Sequence, residues 1–146
     1  MTGRGFLGTQ ASWAADLNLL AQIVLLLVLT MAVLRAKKGD LATHHTWMTV
    51  VVIANAVLIV AVMNPTFFRV LPTAINDPSL EPKMMFPHML VGGLAELLGL
   101  YAVVAVRIDL PIAMQAHSQK RFMRLLAVLW TLALVGGIAL YIFWYL

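Results

Sequence analysis

Cysteine is absent from the chain and charge is scarce: 11% of residues are Asp, Glu, Lys or Arg, and only 6 are acidic. Without thiols there is no disulfide, no thiolate metal site and no iron–sulfur cluster, and the redox compartment leaves no trace in the sequence. The charged fraction falls far below the roughly 25% of a soluble domain, while 62% of the residues are hydrophobic. Phosphate-binding loops, catalytic dyads and internal repeats are also missing. Ser118 follows His117 in the chain, but nothing completes a triad. The sequence reads as that of a non-enzyme.

What is present is four long apolar runs, Leu17 to Leu34, Thr46 to Met63, Pro87 to Val106 and Phe122 to Leu146. Each is long enough to cross a hydrocarbon core of about 30 Å at about 1.5 Å per helical residue. They predict one domain over residues 1–146, an all-α, integral-membrane, four-helix up-and-down bundle whose first partner is the lipid bilayer. The net charge of +4 is explained by topology and calls for no nucleic acid. Arg35, Lys37, Lys38, Arg107, Lys120, Arg121 and Arg124 fall on one side of the deduced topology, and only Arg4, Arg69 and Lys83 on the other. By the positive-inside rule the first group is cytoplasmic, which puts both termini outside. The first run is followed by RAKK, with no small-residue cleavage site, and reads as a retained helix.

The lead, Met1 to Ala15, carries Gly3, Gly5 and Gly8, and Trp13 stands where interfacial aromatics gather. Ser12 or Asp16 is placed to cap the first helix. Asn18 and Gln22 lie four apart and share an inward face, because an unpaired amide in lipid is costly. Ala36 to Thr43 is a tight turn around Gly39 and Asp40. In the second helix His44, Met48 and Asn55 share a face, with His45 about 100° away. Asn64 to Phe86 holds Pro65, Pro72, Pro78 and Pro82 and is expected to be ordered in pieces without long helices. Pro87 suits a first-turn position and starts helix three. Two small-xxx-small pairs, Ala95 with Gly99 and Ala133 with Gly137, would let helices three and four approach closely.

The third run carries two groups that hydrocarbon does not welcome, His88 near its start and Glu96 near its middle. Helical spacing puts His88, Gly92, Ala95, Glu96 and Gly99 on one face. A carboxylic acid at the bilayer centre costs about 2.5–3.5 kcal/mol on insertion scales, so this face must look at protein. Glu96, Asn55 and Gln22 lie at similar depth and are expected to form an internal polar cluster. Two roles for Glu96 stay open: a proton relay or quinone contact, and a structural acid bonded to Asn55 or Gln22.

The histidines sort by topology. His44, His45 and His117 fall at the cytoplasmic ends of helices two and four, where one imidazole from each helix is allowed as a ligand of haem b. The competing reading is that all three are solvated interfacial residues. The two-haem pattern of quinol-oxidising cytochromes, two histidines on each of two helices, is absent. At the outer end Met63, Met84, Met85 and Met89 stand with His88, a soft donor set suited to copper as Cu(I), set against methionine's common use as apolar filler.

These residues resemble a family of bacterial membrane proteins filed as domain of unknown function four hundred and twenty, which includes proteins implicated in cytochrome oxidase assembly. The likeness runs from His44 to Leu146. It rests on Leu129 and Trp130, Gly137 and Tyr141 in the last helix, His117 ahead of a basic cluster, His44 with Met48, and His88 at the start of helix three. One departure stands out: where the family tends to carry a histidine near the outer end of helix two, this chain reads VMNPTF, with Met63 and Asn64. Glu96 is a second departure. The resemblance implies a multi-pass protein of the bacterial inner membrane, an accessory or assembly factor for a terminal oxidase that handles haem or copper. A small b-type cytochrome with His44 or His45 paired to His117 is the alternative. A permease with Glu96 in its path is disfavoured by the small number of helices.

Overall fold

Each of the four apolar runs forms a helix, and each helix begins before its hydrophobic stretch does. In the computed structural model residues 5–76, 82–108 and 120–146 are described, and every regular element among them is helical. The elements are α1 (Trp13–Lys37), α2 (Leu41–Leu58), a π-helical turn (Ile59–Met63), α3 (Asn64–Asn76), a 3-10 turn (Pro82–Met84), α4 (Met85–Arg107) and α5 (Lys120–Tyr145). Ser12 is the N-cap of α1, its hydroxyl accepting from the Ala15 amide at 3.2 Å. Asp40 caps α2, accepting from the Thr43 amide at 3.1 Å. Gly39, at φ +82°, turns the chain between them in a conformation that side chains resist.

The segment after α2 differs from the expected loop. Helix continues from Leu41 to Thr73 as one apolar stretch of 33 residues. Pro65 has no N–H and its ring crowds the preceding turn. The chain answers with the π turn, in which the Asn64 amide reaches back five residues to the Ile59 carbonyl. The helix is displaced there and does not end. Pro72 lies inside α3, whose end is fastened by the Asn76 side chain donating to the Pro72 carbonyl at 2.7 Å. At about 1.5 Å per residue the joined helix spans about 50 Å, longer than a hydrocarbon core, and α3 with its Arg69 is the excess.

Among the described residues four helices are long and apolar enough to cross a membrane. They pack in the cyclic order α1, α2, α4, α5, each against two neighbours. Their outer faces are apolar, with Val24, Leu27, Leu90, Leu97 and Leu132 exposed, while Gln22, Asn55 and Glu96 are buried. Greasy outside and polar inside is the pattern of a bundle solvated by lipid. One end of the bundle carries the α1–α2 turn and the basic residues Arg35, Lys37, Arg107 and Lys120; we call it the hairpin end. The other carries the start of α1 and the finish of α5; we call it the terminal end.

The hairpin half is filled by Leu25, Leu29, Val51, Val52, Ala102 and Leu126, all buried. Gly99 is what lets α4 in: a Cβ there would stand 3.0 Å from Trp130 Nε1 and 3.1 Å from Val52 Cγ2. Of the two expected small-residue pairs, Gly99 therefore receives the indole of α5. Gly137 of the second pair faces His88, and Ala133 faces Gly92.

Candidate functional site

Among the described residues three polar clusters occur at successive depths. At the hairpin end His44 is buried, and its Nδ1 donates to the Ala32 carbonyl at 2.9 Å, since a carbonyl can only accept. This fixes the tautomer and leaves Nε2 with the lone pair. His45 is exposed, with its ring 5.6 Å from that of His44. Of the two, His44 faces the bundle. His117, the third candidate haem ligand, lies outside the described residues.

At mid-depth the amides run in one direction. Gln22 Nε2 donates to Asn55 Oδ1 at 3.3 Å, and Asn55 Nδ2 donates to Glu96 Oε2 at 2.9 Å. The three residues expected to cluster are therefore joined in a single chain across α1, α2 and α4. Because each donor points toward Glu96, the carbonyl oxygen of Gln22 is left at the opposite end, near Gly137.

Above this chain, toward the terminal end, the helices part around a cavity of about 270 Å³. Its walls include Asn18, Gln22 and Asn55, the ring of His88, the methionines Met63, Met85 and Met89, and the aromatics Phe67, Trp130, Tyr141 and Trp144. The π turn and the start of α3 supply one side of it, so the displacement forced by Pro65 helps open the space. The His88 ring lies against α5, with Nδ1 3.3 Å from a Cβ placed at Gly136 and Cε1 3.3 Å from one at Gly137. No hydrogen bond to that ring forms among the described residues. Asn18 Oδ1, Glu96 Oε1 and Trp130 Nε1 are sealed from solvent and have no partner among the described residues. Each such orphan costs about 1–3 kcal/mol.

The cavity gathers four of the five residues of the soft donor set: His88, Met63, Met85 and Met89. Met84 is exposed and does not line it. His44 and His45 lie at the other end of the bundle and take no part. No group of three or more His, Cys, Asp or Glu among the described residues is arranged to hold a metal ion.

The lead closes the terminal end in a way the sequence did not announce. Asp16 does not act as a cap. It is wholly buried and accepts from the Leu7 amide at 2.8 Å, the Thr9 hydroxyl at 3.3 Å and the Tyr141 hydroxyl. Gly5 passes so close that a Cβ there would overlap the carboxylate. Tyr141 thus links the folded lead to the cavity it lines. The signal was an acid at the border of an apolar run, but its main partner is 125 residues away.

Comparison with family models, with characterised proteins and with solved structures finds no match. The chemistry of the cavity has to be read from its own walls.

Proposed function

We propose that the chain is a non-catalytic accessory protein of an aerobic respiratory chain, resident in a bacterial cytoplasmic membrane, and that its working part is the cavity of the terminal half. The observation that carries this reading is an imidazole, His88, with no hydrogen bond among the described residues, set with the amides of Asn18, Gln22 and Asn55 on the wall of one cavity inside the spanning helices. Polar groups at such depth are costly and mark sites that receive something. The basic residues at the hairpin end support a cytoplasmic placement of that end and an outer placement of the cavity. The likeness of His44, His88 and the last helix to an oxidase-assembly family supports the respiratory setting. Thioether and imidazole donors on one cavity make Cu(I) the ion they would take.

A second reading is favoured by His44, whose bond to the Ala32 carbonyl leaves Nε2 free for iron, as in a b-type cytochrome. The two part on the visible spectrum of the purified protein. The accessory reading expects no haem α-band, co-purification with oxidase subunits, and a fall in assembled oxidase when the chain is deleted. A haem band lost in His44→Ala would favour the cytochrome, and full oxidase assembly without the chain would contradict the accessory role.

A further inference from the structure

We infer that Glu96 is a proton-binding site just below the cavity: it holds its proton inside the closed bundle and exchanges it through the terminal half alone. The inference goes beyond the accessory reading and does not depend on it. Among the described residues the buried carboxyls are those of Asp16 and Glu96, and their surroundings differ. Asp16 is met by three donors, the Leu7 amide and the hydroxyls of Thr9 and Tyr141. Glu96 is met by one, Asn55 Nδ2 at 2.9 Å from Oε2, while Oε1 is sealed from solvent with no partner among the described residues. A carboxylate taken out of water keeps its charge only where several donors or a cation take the water's place.

Among the described residues no cation is placed to do so. Arg107, at the far end of α4, is about 16 Å away along the helix axis. The helices around Glu96 present Gln22 from α1, Asn55 from α2 and Trp130 from α5 at this depth, none of which titrates. Their titratable side chains lie at other levels: Asp16, His88, Tyr141 and Tyr145 toward the terminal end, His44, His45 and Tyr101 toward the hairpin end, with the basic residues beyond. A metal ion does not suit the place either. Asn55 turns its N–H group to Glu96 and its oxygen to Gln22, so the side chain bonded to Glu96 offers a hard cation no oxygen. What remains is the proton itself, with Oε1 free to carry it.

The route follows from the layers on either side. Toward the hairpin end the next inward residues are Leu25, Val52, Gly99 and Leu126, all buried and without polar side chains. Toward the terminal end, Gln22, Asn55 and Ala95, the chain neighbour of Glu96, all line the cavity. Glu96 therefore stands one side chain behind the cavity wall, and its exchange with water passes through the cavity. A site open to one side carries no proton across the membrane. It sets the charge of the cavity: a positive guest is met by a carboxylate as the proton leaves by the same route, and a neutral guest leaves the acid intact.

The test uses the full chain in nanodiscs with carbon-13 at the glutamate carboxyls, which are those of Glu81 and Glu96. Glu96→Gln, which keeps an oxygen for Asn55, removes one carboxyl signal and so assigns it. The expected result is a Glu96 signal at the position of the protonated acid at neutral pH. The second measurement is labelling by dicyclohexylcarbodiimide, read by intact mass. The reagent takes the proton of an un-ionised acid onto nitrogen, its central carbon bonds the carboxyl oxygen, and the adduct rearranges to a stable N-acylurea. One adduct should form, be absent in Glu96→Gln, and form at least tenfold more slowly in Gly93→Leu. Gly93 lines the cavity and a Cβ there meets nothing within 4 Å, so the leucine should narrow the route and leave the fold as it is. A carboxylate signal from Glu96 at neutral pH, or an adduct that persists in Glu96→Gln, overturns the site. An undiminished rate in Gly93→Leu overturns the route through the cavity.

Discussion

The two halves of the bundle are built from the same four helices and differ in what lies between them. In the hairpin half Leu25, Leu29, Val51, Val52 and Leu126 interlock, and Gly99 brings α4 within contact of Trp130. In the terminal half glycines serve the opposite end: Gly136 and Gly137 make room for an imidazole, and Gly93 faces open space. Lipid gives apolar helices no hydrophobic reason to associate, so close packing has to hold the bundle together somewhere. The hairpin half does that. This frees the terminal half to keep unpaired polar groups and a cavity, each a local cost, and the folded lead closes its end.

The largest expected effect breaks the packed half. Leu29→Ala removes a buried side chain among α1, α2 and α5 neighbours and should cost about 2–4 kcal/mol in a denaturant titration of the detergent-solubilised protein. Leu140→Ala, on the cavity wall, should cost about 1 kcal/mol or less, because its surroundings are already loose. Equal losses would erase the distinction between the halves. Next come the glycines. Gly99→Leu drives a side chain into Trp130 and Val52 and should cost about 1–3 kcal/mol. Gly93→Leu should be neutral or should stabilise by up to about 1 kcal/mol through helix propensity. Thermal unfolding followed by circular dichroism reads both.

At the seam between the halves, Asn55→Leu strips Gln22 of its acceptor and Glu96 of its donor, and about 1–2 kcal/mol should be lost. Glu96→Gln still offers an oxygen to Asn55 and should change stability by less than about 0.5 kcal/mol. A large loss in that variant would mean that the acid itself is required. The smallest effect concerns the hairpin turn. The Thr43 hydroxyl and amide, then nearby Arg35 at 3.5 Å, hold the Asp40 carboxyl below its usual value of 3.8, against a partial desolvation that raises it. Asp40 therefore stabilises the turn above about pH 4, and that contribution fades as the pH drops through the lowered value. Hydrogen exchange at the Thr43 amide should speed up only in that acid range.

The sequence made the four spans legible because apolar runs of that length have few other uses. It also exposed the Gln22, Asn55 and Glu96 chain, because polar groups at matching depth in hydrocarbon have only each other. What stayed hidden depended on geometry that no local pattern carries. Four prolines between Asn64 and Phe86 read as helix breakers, yet Pro65 was accommodated by a π turn and Pro72 by a helix end on which Asn76 closes. Asp16 looked like a cap because its real partners, the folded lead and Tyr141, are brought to it only by tertiary structure. His88 was singled out as a site residue, but whether it met protein or open space depended on Gly136 and Gly137, about 50 residues onward.

The contrast between the halves can be measured with single thiols, since the chain has none of its own. Ala133→Cys would stand on the cavity wall and Ala102→Cys in the packed half. With a small, uncharged methanethiosulfonate reagent on the protein in nanodiscs, the thiol at position 133 should be modified within minutes and the thiol at 102 only on unfolding. Modification of both at the same rate, or protection of both, would contradict a bundle packed at one end and open at the other.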